Sequence, residues 1–277
     1  MSGLDIGVVG GLLLAVGALL GADLIDGGNL AALINPSALL LILGGTIGAT
    51  AVSSNLQDLL AVPKLVLGAI RPARTDLGVE IERMVALALK ARRNGLLSLE
   101  EDIAELKEPF VARGLQMVVD GADADTVRGV LKTDMALRSQ AVARQNQLFE
   151  TAGGFAPTMG IIGTVLGLIH VLSNLSNPGA LGPSIATAFL ATFYGISSAN
   201  VFWLPIGNKL KQNARQASIS SEVALEGILS IQAGDNPSAV RDKLAVFLSG
   251  NGAKPAPAAG TAAAAQGETA AGGDQVA

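Results

Sequence analysis

The sequence predicts an all-α integral membrane protein with four transmembrane helices and a large helical cytoplasmic domain. Half of its 277 residues are hydrophobic and only 15% are charged. The charges are strongly segregated, since the 58 residues from Thr151 to Asn208 contain no Asp, Glu, Lys or Arg. A charge at the centre of a bilayer costs at least about 2.5 kcal/mol, so a long uncharged stretch favours membrane crossings.

Four apolar segments are candidates for the transmembrane helices. A spanning helix needs about 20 mostly apolar residues, with a range of about 17–25. The first, third and fourth segments meet this requirement, whereas the second is short and needs its flanks, Ser37 and Ser53, to cross. The four segments are Ile6–Leu24, Ala38–Val52, Pro157–Leu175 and Ile185–Ile206.

The basic residues predict the orientation of these spans. All 19 Lys and Arg lie within Lys64–Arg144 or Lys209–Lys254. Loops rich in Lys and Arg stay on the cytoplasmic side of a membrane. The turns Asp23–Asn35 and Ser173–Pro183 carry no basic residue, so we expect them outside. Four crossings with both termini in the cytoplasm are therefore predicted.

The same features divide the chain into five parts. Residues 1–52 hold the first two spans, 53–150 a cytoplasmic helical domain, 151–208 the last two spans, 209–248 C-terminal cytoplasmic helices and 249–277 a tail. The tail consists mainly of Ala, Gly, Pro and Thr. Such a composition buries too little apolar surface to offset the entropy of folding, so we predict disorder there.

Helical periodicity runs through the two cytoplasmic parts. The segment Asp76–Arg93 repeats apolar residues at four-residue intervals, as an amphipathic helix does. Asn94 and Gly95 follow it, and a glycine after the last periodic residue is a common helix stop. The other predicted helices are Leu99–Leu106, Phe110–Val119, Asp123–Arg144, Lys209–Gln232 and Ser238–Leu248.

Several classes of function are excluded by what the sequence lacks. It has no cysteine and one histidine, which leaves no disulfide framework and no thiolate or histidine-rich metal site. It contains no P-loop, HExxH or GxSxG motif, so we predict no enzyme activity and no nucleic-acid partner. The glycines of the first span follow no strand, and we interpret them as small residues that let membrane helices pack closely.

The third and fourth spans carry the candidate functional residues of the membrane part. Pro157 is expected to open one span and Pro205 to close the other. Each proline either is tolerated near a span end or frees a carbonyl that can face a wet path or act as a hinge. Thr164 and Thr192 either bond their own helix backbone or line an ion route as neutral oxygen ligands. His170 is expected to be packed or near the outer interface.

No predicted span contains an acidic residue in its interior. Asp5, Asp23 and Asp26 lie only at the ends of the first span. If cations cross the membrane here, a partner chain must supply the carboxylate that holds them. We therefore predict that this chain alone does not conduct.

The uncharged window resembles a known family. The run GGFAPTMGIIGTVLGLIHVLSNLSNPGALGPSIATAFLATFYGISSANVFWLPIGNKLK is similar to the paired third and fourth spans of the flagellar motor stator A subunits, the MotA/PomA family, within the wider MotA/TolQ/ExbB proton channel superfamily. LALKARRNGLLSLEEDI and VDGADADTVRGVLKTDM extend the resemblance into the cytoplasmic part. The resemblance implies a stator subunit of the bacterial inner membrane.

Partners and coupling residues follow from the same resemblance. A-type subunits of the family form a pentamer around two B-type subunits (MotB/PomB), whose single span supplies an essential Asp. Flow of H⁺ or Na⁺ past that Asp drives torque on the rotor protein FliG, and no other cofactor is implied. The two functional prolines of the family fall on Pro157 and Pro205.

The rotor-facing charges of the family fall on Arg92 and Glu100, with Arg93 and Glu101 as neighbours. They flank a glycine-containing turn that we expect to form an exposed tip. Exposed charges steer encounters while adding little static affinity, which suits a contact that engages and releases repeatedly. The alternative is a tip that is merely solvated.

The coupling ion is left open between H⁺ and Na⁺. Sodium-type members of the family tend to carry Thr at the positions of Thr164, Ala191 and Thr192, and proton types tend to have Ala at the first two. This chain has Thr, Ala and Thr, and it has Gly154 where some sodium types carry Asp. We interpret the pattern as favouring protons slightly, because Ala191 removes one oxygen ligand.

Two rival functions belong to other classes. A TolQ/ExbB-like energy transducer of the envelope would have three spans, whereas this chain has four and also carries the charged tip. A solute transporter would need polar groups that converge at the membrane midplane, and the sequence has too few of them.

Overall fold

The computed structural model describes residues 5–71, 76–106 and 108–249, and every regular element in those residues is helical. Four of the helical stretches are long and apolar enough to cross a membrane. The predicted fold class, with four transmembrane helices, is therefore confirmed. The predicted disorder of the tail concerns residues that lie outside the described part, apart from Ser249.

The helices follow one another with short connections. Two 3₁₀ segments, Leu30–Leu33 and Leu96–Leu99, and two π segments, Leu40–Gly44 and Ser198–Trp203, lie between them. The α-helices are α1 Ile6–Ile25, α2 Pro36–Leu39, α3 Gly45–Ser53, α4 Leu56–Leu60, α5 Val62–Ile70, α6 Leu77–Asn94, α7 Glu100–Glu105, α8 Pro109–Val119, α9 Ala124–Ser173, α10 Pro178–Ser197, α11 Leu204–Gln232 and α12 Pro237–Ser249.

The chain packs as two compact units. The first unit takes residues 1–75 and 132–218, and the second takes residues 76–131 and 219–277, both within the described ranges. Helices α9 and α11 each belong to both units, so the units do not follow the five-part division of the sequence. Where the membrane surface cuts these helices stays a prediction.

The second span is a continuous helical stretch from α2 through the π segment to α3. The Asn35 side chain accepts a hydrogen bond from the Ala38 N–H at 3.1 Å, and Pro36 takes the first helical position. Both are favoured helix-start features. Ser37 and Ser53 lie inside the helical stretch, which gives the short apolar segment the length it needs.

Pro157 does not begin a helix, contrary to the sequence prediction. The predicted helix Asp123–Arg144 and the third span form one 50-residue helix, α9, which runs through Pro157. Proline removes one intrahelical hydrogen bond, but neighbouring packing can hold the helix together. Phe149 and Ala156 on either side of the proline are fully buried against the side chains of Trp203 and Ile206.

Pro205 does not end the fourth span either. It is the second residue of α11, which continues to Gln232 as the sequence predicted for Lys209 onwards. The π segment Ser198–Trp203 comes directly before it. A π segment loosens the regular backbone hydrogen bonding, so the proline is accommodated without a break in the helix.

The second unit has its own apolar core. Helix α6 packs against α12, and Arg241 pairs with Glu82 across the two helices at 2.6 Å. Helices α6, α8 and α12 agree with the prediction. The predicted helix Leu99–Leu106 is instead a 3₁₀ turn followed by the six-residue α7.

Candidate functional site

The third and fourth spans approach each other at backbone distance in the first unit. A Cβ atom added to Gly195 would lie 2.5 Å from the carbonyl oxygen of Ala156. One added to Gly163 would lie 2.5 Å from the Cβ of Ala191. Only glycine fits at such positions without a shift of the neighbouring helix, and small residues of this kind let membrane helices pack closely.

This close approach brings Thr164 and Thr192 into direct hydroxyl contact. The Thr164 Oγ1 also lies 3.1 Å from the Gly160 carbonyl on its own helix and 3.1 Å from the Ala188 carbonyl on the fourth span. The Thr192 Oγ1 lies 3.3 Å from the same Gly160 carbonyl. The sequence left open whether these threonines bond their own backbone or line a route. Their contacts cross between helices and gather four oxygen atoms at one half-buried place.

Ala191 is fully buried between the second and third spans. It packs with Ala38 and Ile42 of the second span, and a Cβ atom added to Gly163 of the third span would lie 2.5 Å from its own Cβ. Its methyl side chain offers no oxygen ligand there. The interpretation that Ala191 removes an oxygen ligand from the route stays a prediction.

The two prolines lie on either side of the threonine pair along the chain. Pro157 is half-buried and lies three residues before Gly160. Because proline has no N–H, the carbonyl four residues earlier, that of Gly153, is left without its helical hydrogen bond. Pro205 is exposed and follows the π segment Ser198–Trp203, so its missing N–H leaves a carbonyl of that segment without a partner. Both freed carbonyls belong to the uncharged window.

An ion pair outside the uncharged window ties the start of the first span to the end of the fourth. The Lys209 Nζ lies 2.7 Å from the Asp5 carboxylate, which also accepts a hydrogen bond from the Gly7 N–H at 3.0 Å. The Asp5 N–H donates to the Ile70 carbonyl at 2.8 Å. The hydrogen bond from Lys209 holds the pKa of Asp5 below its ordinary value. Sequence reasoning missed this pair, although the predicted orientation puts both residues at the same side of the membrane.

A second network missed by sequence reasoning secures the turn before the second span. The Tyr194 hydroxyl donates to the Leu33 carbonyl and accepts a hydrogen bond from the Asn35 N–H at 3.0 Å. The Asn35 side-chain amide donates to the Thr187 hydroxyl at 2.8 Å. His170 is exposed on the single chain.

The predicted tip is exposed in the second unit. Arg92 and Arg93 occupy the last turn of α6, and Glu100 and Glu101 occupy the first turn of α7. All four are exposed, and each pair has the sign that complements its helix dipole. Gly95, with φ of +84°, makes the turn between them.

The base of the tip is fixed by packing and by one ion pair. Leu99 is fully buried beneath the turn. The Lys90 Nζ contacts the Asp102 carboxylate at 2.6 Å, and this hydrogen bond raises the pKa of Lys90. The charged side chains above it therefore project from a positioned turn.

The arrangement defines a class before any relative is considered. Four apolar helices, a charge-free helix pair joined by hydroxyls and an exposed charged tip describe a multi-pass membrane protein with a charged surface outside its spans. Within the described ranges, no group of three or more His, Cys, Asp or Glu could hold a metal ion.

Comparison with known proteins agrees with that class. The MotA/TolQ/ExbB proton channel family matches residues 102–223, and the Motility protein A N-terminal family matches residues 9–95. The chain is 35% identical over 242 residues to Motility protein A of Bacillus subtilis (strain 168), covering 86% of this chain and 88% of that protein. It is 32% identical over 243 residues to Chemotaxis protein PomA of Vibrio alginolyticus, covering 88% and 93%.

A solved structure shares the fold. The flagellar MotAB stator complex from Bacillus subtilis contains a chain with a TM-score of 0.82 and 34% identity, covering 88% of this chain and 96% of that one. The chain therefore belongs to the MotA/TolQ/ExbB proton channel family, and within it to the motility protein A subunits of flagellar stators. It is a multi-pass protein of the inner membrane.

Two sequence-based expectations are resolved by this membership. The family consists of stator and channel subunits, in agreement with the prediction that the chain is not an enzyme. The TolQ/ExbB-like alternative is not favoured, because the match to the Motility protein A N-terminal family covers the first two spans.

Proposed function

We propose that this chain, with a B-type partner of the MotB/PomB kind, forms a cation channel whose ion flow turns the flagellar rotor. The observation that carries the proposal is the uncharged window from 151 to 208, which brings hydroxyls and freed carbonyls but no carboxylate. The partner supplies the acidic residue. A solved complex of a relative contains both kinds of subunit, which supports the pairing.

The proposed assembly is a pentamer of this chain around two B subunits, with both termini in the cytoplasm. The pentamer rests on the resemblance to the stator family. The orientation rests on the 19 basic residues, which all lie on one side of the predicted spans.

The geometry supports the following proposed roles within the channel. Thr164, Thr192 and the half-buried Pro157 line the ion path. Pro157 and Pro205 couple ion passage to movement of α9 and α11, because each leaves one helix position without its backbone hydrogen bond. Helices α9 and α11 run without a break from the uncharged window into residues of the second unit, so each can carry a movement along its length.

The exposed tip is the proposed contact with the rotor protein FliG. Arg92 and Glu100 carry the interaction, supported by Arg93 and Glu101. Their exposure supports the proposal, since exposed charges act over several ångströms and release easily.

Motility rescue in a stator-deficient cell that also makes the B subunit tests these roles. Pro157→Leu is expected to abolish swimming while the A–B complex still assembles. Arg92→Ala and Glu100→Ala are expected to reduce swimming, whereas the matched control Lys132→Ala, an exposed cation on α9, leaves it unchanged. Full rescue by the Pro157 variant would contradict the coupling role.

The coupling ion is proposed to be H⁺, with Na⁺ as the alternative. Two hydroxyls and two carbonyls can ligate Na⁺, since hard cations prefer oxygen. Ala191 offers no oxygen ligand, which favours H⁺, and experiment decides between the two ions. Swimming speed in a sodium-free buffer, with a protonophore as control, decides it: undiminished speed that the protonophore abolishes supports H⁺.

A further inference from the structure

An open groove lies in the first unit between α1 and the junction of the fourth span with α11. Its volume is about 970 Å³, at the upper end of the cavities that hold drug-sized ligands. Small residues of α1, Gly7, Gly11 and Ala15, form one wall at four-residue intervals, and Val201 and Pro205 lie in the other. Spacing by four places the small residues on one helix face, which leaves an apolar channel along the helix.

One end of the groove is cationic. Lys209, Lys211 and Arg215 line it together with Asp5. Asp5 is occupied by Lys209 at 2.7 Å, whereas Lys211 and Arg215 are exposed one helical turn apart. The sequence contains no Asp or Glu from Ile206 to Ser221. A net positive end therefore adjoins an apolar channel.

We propose that this groove binds an anionic phospholipid. The headgroup phosphate lies between Lys211 and Arg215, and an acyl chain lies along Gly7, Gly11 and Ala15. A free phosphate would use only the cationic end, and a helix of a second copy would use only the apolar wall. An anionic lipid matches both, and basic residues next to a span attract such lipids.

The site adds a lipid input to the proposed coupling machinery. Pro205 lines the same groove, so the bound lipid packs beside the proline whose missing hydrogen bond lets α11 move. The inference requires that the chain sits in a membrane, and it does not depend on the rotor contact or on the identity of the ion.

Lipid retention by the purified A–B complex is the first test. Complexes are washed in detergent, and bound phosphatidylglycerol is counted by native mass spectrometry. Lys211→Gln with Arg215→Gln is expected to weaken retention roughly 10- to 30-fold. Each basic residue near the membrane surface strengthens binding to an anionic lipid by about five-fold, and two residues are removed. Arg128→Gln with Lys132→Gln is the matched control, because it removes two cations four residues apart on α9 that do not line the groove. Equal retention by both double variants would overturn the proposal.

Photo-crosslinking of the unmodified complex keeps the test independent of variant folding. In nanodiscs, phosphatidylglycerol with a photoactivatable acyl chain is expected to label residues 6–15, and the label should survive excess inorganic phosphate. A phosphatidylcholine probe of the same acyl chain should label this segment several-fold less. Absence of label on 6–15, as expected if a second copy fills the groove, would overturn the assignment, and so would equal labelling by the two lipids.

Discussion

The helix pair of the third and fourth spans and the charged tip of the second unit differ in charge and in burial. The helix pair contains no charge, and its contact is made by backbone, glycine and two hydroxyls at distances that exclude a single extra methyl group. The tip presents four exposed charges held over one buried leucine. Under the proposed function, the difference teaches that a shared ion path needs fixed neutral walls, whereas a contact that forms and breaks needs weak, exposed charges.

The largest effect is expected at the helix pair. Gly195→Ala places a Cβ atom 2.5 Å from the Ala156 carbonyl, so the two helices must separate. We expect a loss of about 1–3 kcal/mol in the free energy of unfolding, together with loss of assembly with the B subunit. The measurements are denaturation in detergent and copurification. Gly154→Ala is the matched control, because a Cβ there meets open space. An equal effect of the two variants would show that the spans are not in backbone contact.

Loss of the hydroxyls gives the next effect. Thr164→Val and Thr192→Val keep the side-chain shape but remove hydrogen bonds that join the spans, so each should cost about 1 kcal/mol. Because the two hydroxyls touch, a double-mutant cycle should give a coupling energy of about 0.5 kcal/mol or more. Swimming speed is measured in parallel. Strict additivity in stability, with unchanged speed, would argue that the threonines neither meet nor line the path.

Charge removal at the tip should leave stability nearly unchanged. Arg92→Ala and Glu100→Ala are each expected to alter the free energy of unfolding by less than about 0.5 kcal/mol, because both side chains are exposed. Swimming should nevertheless fall, and the two readouts together separate a binding surface from a structural one. Leu99→Ala, beneath the tip, is the contrasting variant that should destabilise the unit. A stability loss at Arg92 as large as that at Leu99 would show that Arg92 has a structural role and would contradict its assignment to a binding surface.

The smallest effect is expected for the Asp5–Lys209 ion pair, whose side chains are less exposed than those of the tip. Lys209 holds the pKa of Asp5 below 3.8, so its stabilising contribution is present above 3.8 and is lost as the pH falls below that value through the folded-state pKa. Asp5→Asn keeps a side-chain oxygen for the helix cap and removes only the charge. The difference in unfolding temperature between the two proteins should shrink as the pH falls below 3.8. A difference that does not change with pH would assign the role of Asp5 to capping alone.

The sequence correctly predicted the helices that depend on local signals. It was wrong about helix ends where packing between helices determines the structure. Apolar length predicted the four spans, and periodicity with Gly95 predicted α6 and its end. Pro157 and Pro205 were expected at helix ends, because proline weakens a helix locally, yet packing around Phe149 and a π segment carry the helices through them.

The candidate site shows the same division. The types and positions of Thr164 and Thr192 were visible in the sequence, but their contact depends on how closely Gly160 and Gly195 let two helices approach. The Asp5–Lys209 pair and the Tyr194 network join residues far apart in the chain, so no local sequence pattern predicts them. The tip was predictable as an exposed turn, since charge and glycine both mark it.

Cation flux through proteoliposomes tests the central proposal most directly, namely that this chain builds the wall of an ion path but brings no carboxylate to hold the ion. Vesicles containing this chain alone are compared with vesicles containing the chain and its B-type partner, under an imposed gradient of H⁺ or Na⁺. The account predicts flux above empty vesicles only for the pair, and none when the Asp that we propose for the partner's span is replaced by Asn. A flux through this chain alone that equals the flux through the pair would contradict it.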